Sequence, residues 1–390
     1  MTDTLATAGP ARRALGVSPD RCRPEPTGAG SGFMTRAYRC GSRPAPFLCA
    51  GGPGWGEYGM RDTGAGSVVE ELEAYRGELT RFCYRMLGSY AEAEDAVQEA
   101  LVRAWRSADG FEGRSSVRSW VYRIATRVCL DALAAGKRRA LPMDLSGPAD
   151  GATPPGPPAD DVAWVEPLPG ADPGADPGGA AEAAESVRLA FVAALQHLPP
   201  RQRATLILRE VLGFSAREVA DLHGSTVASV NSALQRARAT LADRREEAGG
   251  PAAPAPEGVR RVLAERYAAA FSRYDVAELN LLLHVDATLS LPPYAKWMRG
   301  VSDIGSWLSG PAVGCRGSRL VPTVANGSPA FGQYRPRADG SGYEPWALQV
   351  VEFSGDRITS ITAFRDTARL FPLFGLPDRL GADSDLGVPA

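Results

Sequence analysis

The sequence has almost no lysine and very little histidine. Arginine supplies all but two of its 43 basic residues, the exceptions being Lys137 and Lys296. The three histidines stand far apart, and the six cysteines form no C-x-x-C pair. Zinc sites and disulfide frameworks need such closely spaced or regularly patterned residues. The sequence therefore indicates neither, and we expect no metal and no other cofactor.

Long apolar runs are missing as well. No stretch reaches the about 18 apolar residues that a membrane-spanning helix needs. The N-terminus has no apolar core followed by a cleavage site of small residues, which excludes a typical secretory signal. We therefore expect a cytoplasmic protein with no membrane partner.

Glycine and proline are abundant, with 43 and 32 among 390 residues, and they divide the chain. Segments rich in both, without periodic apolar positions, cannot bury enough surface to offset chain entropy. Met60, close to the first periodic segment, leaves open a translation start downstream of Met1. We expect six segments: a disordered tail (1–66), a helical unit (67–139), an extended acidic Pro/Gly-rich linker (140–181), a second helical unit (182–248), a short linker (249–258) and an α+β domain (259–380).

The first helical unit has two blocks of opposite charge. Residues 70–100 hold eight acids and three arginines, whereas residues 110–139 hold seven basic residues and two acids. Apolar positions at three- and four-residue intervals predict three helices, of which the third runs from Val117 to about Ala135. A solvated helix face explains either block alone, but adjoining blocks of opposite sign favour two faces with two different partners.

The second helical unit has the spacing of a helix-turn-helix. Ser215 and Thr226 can each cap a helix, and Gly224 between them can form the tight turn. In the second helix one face is small and polar towards the N-terminus and carries arginines further along, as suits a helix that enters the major groove. This outward face comprises Ala228, Ser229, Asn231, Ser232, Gln235, Arg236 and Arg238. A plain helical hairpin is the alternative that spacing alone leaves open.

Three segments together carry a family resemblance. They read RFCYRMLGSYAEAEDAVQEALVRAW, FEGRSSVRSWVYRIATRVCLDAL and LPPRQRATLILREVLGFSAREVADLHGSTVASVNSALQRARATL. In this order they resemble regions two and four of bacterial sigma-70 factors of the extracytoplasmic-function group. The resemblance implies core RNA polymerase and promoter DNA as partners, and a role in transcription initiation.

The resemblance also assigns roles to residues. It implies that the acidic second helix binds the polymerase β′ clamp helices through Asp95, Gln98 and Glu99, while the second unit binds the β flap and the minus-35 element. The third helix and the loop before it would open and hold the minus-10 element, through Arg114, Ser115, Ser116, Arg118, Trp120, Arg123 and Arg127. Base opening needs a pocket for the extruded base, and the loop 110–116 is the natural place for it.

The C-terminal segment changes from helical to alternating periodicity. After a helix at 259–274, apolar residues alternate in four stretches, 287–291, 320–324, 346–353 and 358–364, which predicts an α+β domain with an antiparallel sheet. This order resembles the SnoaL-like, ketosteroid-isomerase-like cone fold, a fusion partner in one subset of these sigma factors. The resemblance implies that the domain regulates the sigma factor, with a D-x-x-W-x-x-P-x-P linker motif packing against it, here Asp161, Trp164, Pro167 and Pro169.

A cone domain often encloses an apolar pocket that can hold a small ligand. Five aromatic residues are candidates for its lining, although core packing explains each of them equally well: Tyr294, Trp297, Trp307, Tyr334 and Trp346. We expect no enzyme activity, because His284, Asp286 and Asp303 are available as general bases but nothing in the sequence groups them. The alternatives are an isomerase-like or cyclase-like domain fused to a sigma factor, and an ordinary helix-turn-helix repressor.

Overall fold

The computed structural model describes residues 71–170, 187–247 and 255–382. The tail predicted for residues 1–66 and the alternative start at Met60 lie outside these ranges. No helix in the described part is both long and apolar enough to cross a bilayer.

The first helical unit consists of α1 (Arg76–Leu87), α2 (Tyr90–Arg106) and α3 (Val117–Ala135). Ser89 and Ser116 begin α2 and α3, since their hydroxyls accept from backbone N–H groups in the first turns. The rings of Phe82 and Tyr122 meet edge to face with centroids 5.2 Å apart, in a fully buried core. Apolar spacing in α2 places Trp105 on the same face as Ala100 and Ala104, but Trp105 lies in the last turn of the helix and is 63% exposed.

The second helical unit consists of α4 (Leu189–Leu195), α5 (Pro200–Leu206), α6 (Ala216–His223) and α7 (Val227–Glu247). A π-helical turn (Ile207–Val211) follows α5 directly. Ser215 and Glu218 form a reciprocal capping box at the start of α6. Gly224 ends α6 in the left-handed region with φ 59°, a conformation that glycine adopts without strain. The predicted helix-turn-helix is therefore present.

The C-terminal domain combines four helices with one six-stranded sheet. Its helices are α8 (Glu257–Arg273), α9 (Val276–Leu282), α10 (Val301–Ser309) and α11 (Thr367–Leu373). Its strands are β1 (Leu283–Ser290), β2 (Trp297–Arg299), β3 (Arg319–Ala325), β4 (Ser328–Pro336), β5 (Tyr343–Ser354) and β6 (Arg357–Phe364), in the order β2-β1-β6-β5-β4-β3. The predicted α+β, SnoaL-like fold class is confirmed.

One strand pair differs from the predicted antiparallel sheet. β1 runs parallel to β6, with Leu289 opposite Ile361. Parallel neighbours need a long crossover connection, and the whole of β2 to β5 supplies it here. Alternating periodicity identifies strands but carries no information on which strand pairs with which, so the sequence did not reveal this pair.

Residues 140–170, the described part of the predicted linker, are not simply extended: they include a 3-10 turn at Pro142–Asp144 and are held against both neighbouring units. The start and the later part of this segment form a parallel bridge, in which Ala140 donates to Ala163 O at 2.9 Å and Val165 donates to Ala140 O at 3.0 Å. Further along, Leu168 and Asn326 of the β3–β4 turn exchange two hydrogen bonds. Residues 171–186 lie outside the described ranges.

Two apolar cores lie on the two faces of the sheet. Because side chains alternate along a strand, Leu348 and Val350 of β5 face one core and Ala347 and Val351 face the other. The first core continues from the sheet through Leu168 of the linker into both helical units. The second core lies inside the C-terminal domain.

Candidate nucleic-acid interface

The outward face of α7 is open. Thr226 caps the helix by accepting from Ser229 N at 3.2 Å. Ser232 of the predicted DNA-reading face is half-buried. The other six residues of this face are exposed: Ala228, Ser229, Asn231, Gln235, Arg236 and Arg238. Val230, Leu234 and Ala237 pack inward. Small side chains near the N-terminus and arginines further along present a surface that a DNA groove can accommodate; the role of each residue stays a prediction.

Two arginines on this face are held by local partners. Arg236 donates to Ser232 Oγ at 2.7 Å, one turn earlier on α7. Arg238 donates to Glu210 in the π-helical turn at 2.6 Å. These exposed contacts are cheap to break, so both guanidinium groups remain available to phosphates.

The predicted minus-10 surface is only partly free. Arg114 is highly exposed and pairs with Glu112 at 3.0 Å, and Arg127 is exposed on α3. Trp120 is half-buried, with its ring 4.9 Å from that of Phe111. Ser115 and Arg123 are also half-buried, while Ser116 serves as the helix cap.

Arg118 points into the second helical unit. Its Nη2 lies 2.5 Å from Glu78 of α1 and also donates to Leu212 O at 3.3 Å. Its guanidinium stacks over the ring of Phe214 at 4.6 Å. Burial opposes the charged form, but the hydrogen bond and charge of Glu78 leave the pKa of Arg118 raised. A residue predicted to touch DNA therefore joins the two helical units.

A second polar contact between these units is fully buried. Arg203 of α5 donates to Met86 O at the end of α1, and to the side chain and backbone of Gln196 at 2.6 and 3.0 Å. Gln196 in turn donates to Arg85 O at 3.3 Å. Burial lowers the pKa of Arg203 to about 10, so the guanidinium remains charged at neutral pH.

The predicted polymerase surface lies on the outer face of α2. Asp95, Gln98 and Glu99 are exposed. Glu99 accepts from Arg103 at 2.7 Å, an ordinary pair one helical turn apart. Ala96 and Val97 lie on the opposite side in the core, so α2 separates an acidic face from an apolar one.

The linker motif spans the distance from the first helical unit to the C-terminal domain. Asp161 is exposed, and its carbonyl accepts from Lys137 at 2.9 Å. The carbonyl of Trp164 accepts from Arg139 at 2.7 Å, and its indole Nε1 is buried without a hydrogen-bond partner.

The other end of the motif lies at the sheet. Pro167 is buried, and Pro169 pairs with Ala325 at the end of β3. These contacts place the two prolines where the linker passes from the first helical unit to the C-terminal domain.

Sequence reasoning missed two residues that connect the units. Glu166 accepts from Ser89 at 2.8 Å, from Arg139 at 3.3 Å and from Arg369 of α11 at 3.1 Å. Glu166 is the one acid in the otherwise apolar stretch 162–170, and an isolated acid in such a stretch is a sequence signal for a buried ion pair.

Asn326 is the second missed residue. It is fully buried in the β3–β4 turn, with φ 55°. Its side chain donates to Tyr84 Oη and to Val187 O, both at 2.7 Å, and accepts from Leu168 N at 2.9 Å. One amide of the C-terminal domain therefore holds the first helical unit, the start of the second and the linker. An Asn-Gly turn is a local signal, and its distant partners were not foreseeable.

The C-terminal domain contains a cavity of about 310 Å³ on the inner face of its sheet. Tyr294, Trp307 and Trp346 line it, as predicted. The prediction was wrong for Trp297 and Tyr334. Tyr334 lies between two cavity residues of β4, so strand alternation turns it to the other face, where it donates to Pro377 O at 2.7 Å. Trp297 instead donates to Ser146 O in the linker at 2.8 Å.

The three candidate general bases lie outside this cavity. His284 and Asp286 are exposed on β1, and Asp286 lies 3.7 Å from Arg299. Asp303 is half-buried, with a carboxylate oxygen 3.5 Å from Gly151 N of the linker. None of the three is among the residues that line the cavity.

The helix-turn-helix, the charge-separated three-helix unit and the fused α+β domain define a DNA-binding transcription protein. Family models agree: Sigma-70 region 2 matches residues 72–139, and Sigma-70, region 4 matches residues 188–241. The chain is 45% identical over 328 residues to ECF RNA polymerase sigma factor SigG of Mycobacterium tuberculosis, covering 82% of this chain and 86% of that protein. The chain belongs to the extracytoplasmic-function sigma factors of the sigma-70 family.

Two further comparisons concern SigJ of the same organism. Its sequence is 30% identical over 222 residues, which is 57% of this chain and 64% of that protein. The crystal structure of Mycobacterium tuberculosis SigJ has a TM-score of 0.55 at 22% identity and covers 79% of this chain and 100% of that chain, so it shares the fold. Because the chain belongs to this family, the alternative that it is an ordinary helix-turn-helix repressor is excluded.

Proposed function

We propose that the C-terminal domain and the linker regulate this sigma factor by holding its two helical units in a closed arrangement. In the open form, region two engages the minus-10 element and the β′ clamp helices, and region four engages the minus-35 element and the β flap. The cytoplasm, where polymerase works, is the corresponding location.

The observation that carries this proposal is the position of Arg118. Elements named minus-35 and minus-10 lie about 25 nucleotides apart, or roughly 85 Å along a duplex at 3.4 Å per base pair. Arg118 of the minus-10 surface instead contacts Leu212 and Phe214, just ahead of the helix-turn-helix. Units in direct contact cannot bind both elements, so the proposal requires them to separate on the promoter.

The C-terminal domain is suited to control this separation. Asn326 and Glu166 connect it, through the linker, to the first unit, and Asn326 also reaches Val187 at the start of the second. Arg188, next along the chain, donates to Phe353 O of β5 at 3.1 Å. A ligand or partner that loosens these contacts would raise the open population.

The polymerase surface is tested by reversing charge on α2. Asp95→Arg with Glu99→Arg should abolish binding to core RNA polymerase while the helical fold persists, because exposed positions usually change stability by less than about 0.5 kcal/mol. The matched control reverses two exposed acids of the C-terminal domain, Asp356→Arg with Asp378→Arg, and should bind normally. Equal binding by both variants in a pull-down would contradict the assignment.

The DNA surface is tested by selecting preferred promoters with polymerase and each variant. Changes at Ser229 or Asn231 should alter the preferred minus-35 sequence, with each mismatch worth about 1–3 kcal/mol. Arg236→Ala should weaken binding to all promoters alike. It should also lower the slope of the logarithm of the binding constant against the logarithm of salt concentration by roughly 0.9. If the preferred sequence is unchanged by the Ser229 and Asn231 changes, the reading face lies elsewhere on the helix.

A further inference from the structure

The cavity of the C-terminal domain has the size and lining of a ligand pocket. Its volume of about 310 Å³ lies at the lower end of the range for small-molecule sites. Most of the lining is aliphatic or aromatic and comes from α8 to α10 and the inner face of the sheet, with Phe271, Leu289, Ile304, Leu308 and Ile361 as examples. A bound molecule would therefore present an apolar body to most of the wall.

The charged part of the lining is entirely cationic. Arg335 of β4 and Arg365, just after β6, both stack on Trp346 of β5, with their guanidinium carbons 3.8 and 3.5 Å from the ring centroid. Among the described residues neither arginine forms an ion pair with a carboxylate, and the cavity lining contains no Asp or Glu. Two like charges thus share one aromatic ring with no countercharge beside them.

Arg365 is also incompletely hydrogen-bonded. Its Nε is buried without a hydrogen-bond partner. Burial lowers its pKa below the ordinary value; Tyr294 and Cys315 act in the opposite direction, and the charge of Arg335 adds slightly to the lowering. An anion placed between the two guanidinium groups would supply the countercharge and the missing acceptor.

Tyr267, Gln349 and Gln333 of the cavity lining are already joined by hydrogen bonds. Tyr267 donates to Gln349 at 2.7 Å, Gln349 donates to Gln333 at 2.8 Å, and Gln333 donates to Ser318 at 3.1 Å. Arg335 and Arg365 are the only charged side chains among the described residues that line the cavity. They should therefore decide the charge of the ligand.

We propose that this cavity binds a small molecule with an apolar body and one oxyanion group, a carboxylate or a phosphate ester, which Arg335 and Arg365 hold. Each guanidinium can offer two parallel N–H donors to such a group. The apolar body lies against the aliphatic wall, and Trp346 fixes the two guanidinium planes. The same geometry disfavours a cationic ligand.

The linker forms part of the cavity wall. Pro155 lines it, and the surrounding segment is attached to the domain through Ala149 N to Trp297 O at 2.8 Å and Ala159 N to Pro293 O at 2.9 Å. Lys296 adds a hydrogen bond to Asp150 O at 2.6 Å. Occupancy would therefore act on the linker; this coupling rests on the proposed regulation, whereas the binding site does not.

Calorimetry on the full-length protein tests the site with four probes of one shape: 2-naphthoate, 2-naphthyl phosphate, 2-naphthalenemethanol and 2-naphthylmethylammonium. At least one of the two anions should bind tenfold or more tightly than the alcohol, and the ammonium should bind most weakly. The better of the two anions identifies the oxyanion. If no probe binds, or if the alcohol binds as tightly as both anions, the proposal is wrong.

Variants locate the site. Arg335→Gln and Arg365→Gln should each weaken anion binding about tenfold and change alcohol binding less than twofold. Arg316→Gln is the control. It removes an exposed arginine that lies outside the cavity lining, with its guanidinium carbon 5.6 Å from the ring centroid of Tyr274, and this variant should bind the anions like the wild type. An anion preference that survives in the Arg335→Gln, Arg365→Gln double variant would overturn the assignment. Because none of these measurements involves polymerase, their failure would leave the regulatory proposal standing.

Discussion

The contact between the two helical units and the interior of the C-terminal domain are built differently. Between the units, Arg118 and Arg203 donate to backbone carbonyls of the other unit, next to apolar contacts such as Tyr122 against Phe214. Inside the C-terminal domain, Phe353 and Ile358 pack in an apolar core that lies beside a short chain of buried hydrogen bonds through Gln349 and Gln333. Polar contacts between units are typical of interfaces that separate, whereas an apolar core is typical of a unit that stays folded.

This difference indicates a separate role for each region. In the proposed mechanism the C-terminal domain stays folded, and the helical units are attached to it through hydrogen bonds at Glu166 and Asn326 and through the apolar core that passes Leu168. A small number of polar contacts can be exchanged for water or for a partner at low net cost, because each is worth only about 1 kcal/mol net. The proposed opening would break these polar contacts and expose the part of the apolar core that the units share.

The largest expected effect comes from the C-terminal domain. Phe353→Ala removes a large, fully buried side chain, and should lower the free energy of unfolding of the C-terminal domain by about 3–5 kcal/mol. Urea unfolding followed by circular dichroism measures this. Val324→Ala, on a half-exposed position of β3, is the control and should stay within about 1 kcal/mol. Equal losses for the two variants would remove the distinction between core and surface.

The next effect comes from the attachment point. Asn326→Gly tolerates the left-handed backbone but removes the amide, and should cost about 2–4 kcal/mol because buried partners are left unsatisfied. Affinity for core polymerase should rise, since more of the protein is open before binding. A titration of labelled protein with polymerase measures the change. Weaker or unchanged affinity in a correctly folded variant would speak against closure by this domain.

A smaller effect is expected at the contact between the helical units. Glu78→Gln keeps Arg118 available for DNA but removes the carboxylate that holds its guanidinium in place against Leu212 and Phe214 of the second unit, and should favour the open form by about 1 kcal/mol. Run-off transcription should increase by a few fold. Glu73→Gln, which breaks an exposed pair with Arg76 within the first unit, is the control and should have no effect. A matching increase in the control would assign the change to net charge alone.

The smallest effect concerns pH. Asp144 of the linker lies 2.7 Å from His197 of the second unit. Burial acts to raise the pKa of Asp144, but hydrogen bonds from His197 and Leu141 outweigh it and leave that pKa lowered. Its stabilising contribution is therefore present above the ordinary carboxyl range near pH 4 and is lost as the pH falls below it. Urea unfolding should show Asp144→Asn less stable at pH 7, with the difference shrinking below about pH 4; a constant difference would contradict this.

The parts of the fold that local sequence determines were predictable. Ser215, Gly224 and Thr226 specify their caps and turn within a few residues, and α3 begins at Val117 as its capping serine implies. The strand β4 was missed because Pro329 and Gly332 interrupt its pattern, although the backbone pairs on both sides.

The parts that depend on distant segments were not predictable. The side of the sheet that Tyr334 faces depends on strand register, and the partners of Asn326 come from residues 84, 168 and 187. The outward face of α7 and the acidic face of α2 follow helical period and were found from the sequence. The diversion of Arg118 from DNA to the second unit needed the tertiary structure.

The closed arrangement is tested most directly by a distance between the two helical units. Spin labels carried on unnatural amino acids at the exposed positions Ala91 of α2 and Ala239 of α7 report it in the free protein and in the complex with core polymerase and promoter DNA. The account predicts one short, narrow distance in the free protein and an increase of tens of ångströms in the complex, as the roughly 85 Å between promoter elements requires. The same distance in both states, or a broad long distance in the free protein, would contradict it.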